Sequence, residues 1–99
     1  MDEHSKHYLI SGRVQGVGFR AFTARHAHEL DLKGWVRNLD DGRVETVATG
    51  PAAVLEEFEK RLRKGPASGR VDTMVIGVPP AEDVKDFEVR KDGLKPCVD

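Results

Sequence analysis

Tyr8 and Ile10 fall on one side of an extended chain and His7, Leu9 and Ser11 on the other, an alternation that predicts a first strand over residues 7–13. A glycine-rich loop follows. The spacing then lengthens: Phe19, Phe22, Ala27 and Leu30 recur at three- to five-residue steps, which fits an amphipathic helix laid against a sheet. Gly34 opens Trp35-Val36-Arg37-Asn38, and Asp41-Gly42 precedes a second β-rich run over residues 43–49, so two strands around an Asp-Gly turn form a hairpin. Pro51 stands at the first position of a second helix, with Glu56 and Glu57 early, Arg61, Arg63 and Lys64 late, and Gly65-Pro66 as its stop. Val54, Leu55, Phe58 and Leu62 make its buried stripe. Residues 70–78 read as a fourth strand, Pro79-Pro80 as the start of a loop, and residues 87–91 as a short closing strand.

The order strand, helix, strand, strand, helix, strand is that of the ferredoxin-like split βαβ sandwich, an α+β fold with an antiparallel sheet and two helices on one face. In such a sheet the first strand and the strand after the crossover helix run parallel without being immediate neighbours. The loop after the first strand and the end of the second therefore have a route to one shared edge. Because unrelated functions use this architecture, the chemistry has to come from particular side chains.

A chain of 99 residues makes one domain, with residues 1–6 expected as a charged tail, a core over about 7–91, and a second tail over 92–99. Charged residues are 33% of the chain and hydrophobic ones 38%, as in an ordinary folded protein. Lys and Arg number 16 against 17 Asp and Glu, so no overall basic field exists to hold a nucleic acid backbone. Any phosphate site must be local. The single cysteine, Cys97, has no intramolecular disulfide partner, and no apolar run opens the chain or reaches membrane-spanning length. A cytoplasmic monomer without nucleic acid or membrane partners is the expectation.

The informative stretch is Gly12-Arg13-Val14-Gln15-Gly16-Val17-Gly18-Phe19-Arg20, between the first strand and the first turn of a helix. Glycines permit positive φ and let main-chain N–H groups converge into a nest for an anion. The start of a helix adds unsatisfied N–H groups and the positive end of its dipole. Arg20 adds a planar guanidinium that can donate two parallel hydrogen bonds to phosphate oxygens. A glycine pair alone would mean only a tight strand-to-helix connection. The run is not a Walker loop, since no Gly-Lys-Ser/Thr follows, and it lacks the third glycine of a dinucleotide fingerprint.

That nonapeptide, followed by Gly34-Trp35-Val36-Arg37-Asn38, resembles the paired signature of the acylphosphatase family. The likeness continues through Asp41-Gly42-Arg43-Val44-Glu45, Gly50-Pro51 and Gly65-Pro66-Ala67, and so covers residues 7–91. The resemblance implies hydrolysis of the mixed anhydride between a carboxylic acid and phosphate, on a small acyl phosphate substrate, with no metal and no cofactor. By position, Arg20 matches the family's phosphate-binding arginine and Asn38 the asparagine that holds the attacking water. Gln15, Gly16, Val17, Gly18 and Phe19 match its main-chain cradle. Gly18 occupies the motif's penultimate variable position, and Leu39 follows Asn38 where animal members commonly carry threonine; these departures bear on rate and fine positioning. That Asn38 lies near Arg20 is implied by the resemblance, since spacing alone does not establish it.

The chemistry agrees with this reading. An acyl phosphate expels a carboxylate whose conjugate acid has a pKa of roughly 4 to 5, so no general acid is required. Phosphoryl transfer needs alignment of the attacking and leaving oxygens and stabilisation of charge on the equatorial ones, which an arginine and a loop of amides supply. The Asn38 amide oxygen is no base near neutral pH, but it can accept a hydrogen bond from water and orient it. The substrate phosphate is expected to take the proton.

Other residues have plainer explanations. His26 and His28 are two apart on a helix and diverge, so they read as surface or partly packed histidines rather than ligands of one metal. Asp40 and Asp41 read as turn residues beside Gly42, Trp35 as core or partial core, Cys97 as inert, and Arg61, Arg63 and Lys64 as a solvated helix end. Gly18-Phe19-Arg20-Ala21-Phe22 faintly resembles an RNA-recognition strand motif, yet it falls at a loop and helix start rather than on a strand. The alternative within the resemblance is an acylphosphatase-like module that binds carbamoyl phosphate or another anion without turnover, as similar modules open large hydrogenase-maturation proteins.

Overall fold

A computed structural model of the chain describes residues 3–93 and 95–96. Cys97 lies outside the described residues. The elements are β1 (His4–Arg13), α1 (Phe19–Glu29), β2 (Lys33–Asn38), β3 (Val44–Gly50), α2 (Ala52–Lys64), β4 (Arg70–Gly77) and β5 (Phe87–Val89). They form one sheet in the order β4-β1-β3-β2-β5. Neighbouring pairs among β4, β1, β3 and β2 are antiparallel, so β1 and β2 run the same way with β3 between them. This is the expected ferredoxin-like sandwich.

Its core lies between one sheet face and the two helices. Tyr8, Ile10, Val36, Val44, Ala48 and Phe87 project from the strands against Phe19 and Ala27 of α1 and Leu55, Phe58 and Leu62 of α2, all essentially inaccessible. Burying a side chain of this size contributes about 1.5–3 kcal/mol relative to leaving it in water.

Four details depart from the sequence expectation. The sheet is mixed rather than wholly antiparallel, because β5 pairs parallel to β2 through Gly34↔Phe87 and Val36↔Val89. β4 runs opposite to β1, hence to β2, and one chain reversal across to the far edge brings β5 parallel to β2. The first strand starts at His4 instead of residue 7: Ser5 shares a 2.7 Å hydroxyl hydrogen bond with Thr49 on the neighbouring strand, and Lys6 reaches Glu59 of α2 at 3.1 Å, so the polar residues find distant partners. On α1 the buried stripe is Phe19, Thr23 and Ala27, with the Thr23 hydroxyl donating to the Phe19 carbonyl at 2.9 Å, while Phe22 lies half-buried against the ring of His26. Pro51 is the residue before α2 rather than its first helical residue.

The helix-free side of the sheet is covered over β2 and β3, while Val75 on β4 is 60% exposed. Trp35 is 2% exposed there, outside the helix-side core, with the guanidinium of Arg37 5.3 Å and that of Arg90 4.9 Å from its ring centroid. Its indole N–H donates to Glu82 in the segment that connects β4 to β5. Glu45, fully buried on β3, accepts hydrogen bonds from His7 Nε2 at 2.6 Å and Arg37 Nε at 2.7 Å. The chain thus holds an ionic network beneath the strand that ends in Asn38.

Candidate active site

Two buried anchors shape the loop after β1. Val14 and Phe19 are each 1% exposed, so the four residues between them have to arch outward. The arch turns on Gly16 (φ 74°) and Gly18 (φ 77°), both in the left-handed region that glycine enters without the Cβ penalty. A Cβ at either would meet nothing within 4 Å, so the crest of the loop is open. Gly18 caps α1 with no side-chain hydrogen bond, its carbonyl taking the Phe22 N–H at 3.0 Å. The first-turn N–H groups of a helix have no acceptor within it, and here they lie at the foot of the glycine arch.

Arg20 stands on that first turn, 40% exposed, and its Nη1 donates to Oδ1 of Asp92 at 3.2 Å. Asn38 is the last residue of β2, paired with Val44 and on the same side of the sheet as Val36. Its carbonyl accepts the Gly93 N–H at 2.9 Å. Its side-chain Oδ1 is buried and finds no hydrogen-bond partner among the described residues. A buried amide oxygen without a partner is destabilising and uncommon in native proteins, so its survival points to a ligand or water that completes it.

Arg20 and Asn38 line one cavity of about 360 Å³, together with Gly16, Gly18, Phe19, Ala21 and Val89. Of the residues matched to the main-chain cradle, Gly16, Gly18 and Phe19 reach this mouth. The side chains of Gln15 and Val17 are engaged elsewhere: that of Gln15 bonds to the β2–β3 hairpin, and that of Val17 packs against the core, while the Val17 carbonyl accepts the Ser68 hydroxyl at 3.4 Å. Sequence reasoning missed Ala21, Val89 and Asp92. Val89 belongs to the parallel edge strand, and Asp92 falls in the stretch set aside as a tail; neither carries a local signal, because each meets the site only through tertiary pairing.

Arg43 donates to both oxygens of Asp41, and the hydrogen bond from its guanidinium, then that from its main-chain N–H, keeps the Asp41 carboxyl below the usual carboxylate range. Asp41 is therefore a turn residue, as its place beside Gly42 suggested. His26 accepts from Arg61 at 3.1 Å, and His28 bonds to the Phe87 carbonyl at 2.9 Å, so the two histidines serve different neighbours. Among the described residues no group of three or more His, Cys, Asp or Glu side chains is placed to hold a metal ion, and no helix is long and apolar enough to cross a membrane.

Fold and site together define a small ferredoxin-like protein in which a glycine arch, an arginine and an asparagine converge on one mouth. The family model described as Acylphosphatase matches residues 6–89. An acylphosphatase of Koribacter versatilis is 45% identical over 86 residues, which is 86% of this chain and 78% of that protein. The structure of an acylphosphatase from Coxiella burnetii superposes with a TM-score of 0.84 at 39% identity, covering 90% of this chain and 94% of that one. Full-length HypF, solved in a phosphate- and nucleotide-bound form, contains a region with TM-score 0.84 and 26% identity that covers 93% of this chain but 12% of its own. The chain belongs to the acylphosphatase family and is an enzyme of that family, a hydrolase.

Proposed function

We propose that the chain hydrolyses small acyl phosphates to a carboxylate and inorganic phosphate by direct attack of a water oriented on Asn38. The phosphoryl group sits in the glycine arch against main-chain N–H groups, with the Arg20 guanidinium on its equatorial oxygens. The water oxygen bonds to phosphorus as the bond from phosphorus to the carboxyl oxygen breaks, and the electron pair leaves on the carboxylate. The water's proton passes to a phosphate oxygen of the substrate, so no protein base is consumed. Residues and substrate are sufficient for this reaction, and the proposal assigns no role to a metal or cofactor. We place its action in the cytoplasm, as a monomer.

The observation that carries this reading is the Asn38 Oδ1, without a hydrogen-bond partner among the described residues and buried at a cavity that also receives Arg20. An acceptor in that position suits a water's O–H. The test is hydrolysis of benzoyl phosphate at neutral pH with chelator present. Turnover is expected in the native chain, and Arg20→Gln and Asn38→Ala are each expected to lose about a hundred- to a thousand-fold or more. Wild-type rates in either variant would reject the roles given to these side chains.

The likeness to 12% of HypF supports a second reading, a module that binds carbamoyl phosphate or another anion without efficient turnover. Saturable binding of inorganic phosphate with no release of phosphate from benzoyl phosphate would select it over the enzyme.

A further inference from the structure

We propose that Gln15 is a positioning residue whose carboxamide ties the anion-binding loop to the hairpin bearing Asn38, and so sets the distance between the two halves of the site. The inference rests on the function proposed above and adds a task for a side chain where the family resemblance assigned only a main-chain amide.

Nε2 of Gln15 donates to the Leu39 carbonyl at 2.8 Å and to the Arg43 carbonyl at 2.8 Å. A carboxamide nitrogen carries two hydrogens, so both are used. Because both partners are carbonyl oxygens, only the nitrogen end of the amide fits there. These carbonyls also close the hairpin: the Leu39 N–H donates to Arg43 at 2.8 Å and the Gly42 N–H to Leu39 at 3.2 Å. Leu39 is 2% exposed and directly follows Asn38. The tether therefore grips buried main chain one residue from the amide that would orient the water.

On its other side, Gln15 immediately precedes Gly16, where the loop enters its open crest. With no atom within 4 Å of a Cβ at Gly16 or Gly18, the crest is open at both glycines, and Val17 between them is the residue that packs. β3 spaces the two strands, since Ile10 and Asn38 both pair with Val44, and beside the cavity the Gln15 carboxamide adds a direct bond from the loop to the hairpin. Displacements of roughly 1 Å between reacting groups have large effects on rate, whereas an anion held by the loop and Arg20 alone is indifferent to where Asn38 stands.

The test compares Gln15→Met, similar in length but without donors, and Gln15→Glu, which sets a carboxylate against two carbonyls. The turnover number for benzoyl phosphate is expected to fall about ten- to a hundred-fold, further in Gln15→Glu, while inhibition by inorganic phosphate stays within about three-fold of wild type. Unchanged turnover in Gln15→Met overturns the proposal. So does a parallel loss of phosphate binding, which would make Gln15 part of the cradle itself.

Should the variants not fold, the native protein still decides. Gln15 and Asn38 are the chain's sole glutamine and sole asparagine, so its NMR spectrum has two side-chain carboxamide pairs to assign. The Gln15 pair is expected to be protected from hydrogen exchange with or without inorganic phosphate; free exchange would sink the idea. If the native chain leaves benzoyl phosphate intact, the proposed function fails, while this exchange measurement judges the tether separately.

Discussion

Oδ1 of Asp92 lies 3.2 Å from Nη1 of Arg20, so a carboxylate occupies part of the donor surface that a phosphoryl group would need. Both side chains are well exposed, and exposed ion pairs are weak and screened by salt. A substrate dianion can therefore displace Asp92, at some loss of affinity. Asp92→Asn keeps an acceptor and removes the charge. Its KM for benzoyl phosphate is expected to fall about two- to five-fold with turnover little changed, and added salt should shrink the difference. A KM that rises instead would show that Asp92 holds Arg20 ready for its ligand.

Among the described residues Asn38 keeps a buried oxygen without a partner, and removing that oxygen should relieve a structural cost. Asn38→Ala is therefore expected to unfold at the same urea concentration as wild type or a higher one, although its turnover collapses. A marked loss of stability would mean that the amide is held for folding, and parallel urea titrations of the two proteins settle the point.

Tyr8, the chain's one tyrosine, is fully buried and donates to Oε2 of Glu59 at 2.8 Å. Burial first, then the bond and charge of Glu59, push its hydroxyl far above the ordinary range. In the unfolded chain the phenol ionises near pH 10, whereas in the folded protein it keeps its proton. Its contribution to stability is thus complete below about pH 10 and declines as pH rises beyond it, by at most about 1.4 kcal/mol per unit. Tyr8→Phe should be less stable at neutral pH but lose less on going from about pH 9 to about pH 11. Unfolding midpoints that run parallel across this window would contradict the assignment.

Glu45 is buried between His7 and Arg37. Removing one member of such a network strands the others, at about 3–5 kcal/mol in comparable buried pairs. Glu45→Ala is expected to lose a large part of the fold's stability, with Glu45→Gln less affected because an amide still accepts a hydrogen bond. Arg37 adjoins Asn38, so Glu45→Gln should also lower turnover modestly; thermal unfolding and a benzoyl phosphate assay on one preparation test both statements.

Much of the candidate site's local geometry was legible before the fold. The glycine spacing, the helix start and Arg20 lie within one local stretch, and backbone conformation there follows from residue type: Gly16 and Gly18 do adopt left-handed φ. Asn38 could be singled out through the family motif, yet nothing in its distance along the chain placed it beside Arg20. Gln15 was read as main-chain cradle, while its side chain turned out to bind the hairpin, because the Leu39 and Arg43 carbonyls come within reach only after β3 inserts between β1 and β2.

The linear order of residues by itself determined the sequence of strands and helices, the Asp-Gly hairpin, the end of α2 at Gly65 and the arch of the loop, since each follows from hydrophobic period or from φ at a few neighbouring positions. Tertiary structure alone decided that β5 runs parallel to β2, that Trp35 and Glu45 are buried on the helix-free face, that residues 4–6 join β1, and that Asp92 meets Arg20. Those outcomes depend on which strands become neighbours and on what then covers each face, and burial is a property of the assembled sheet rather than of any segment within it.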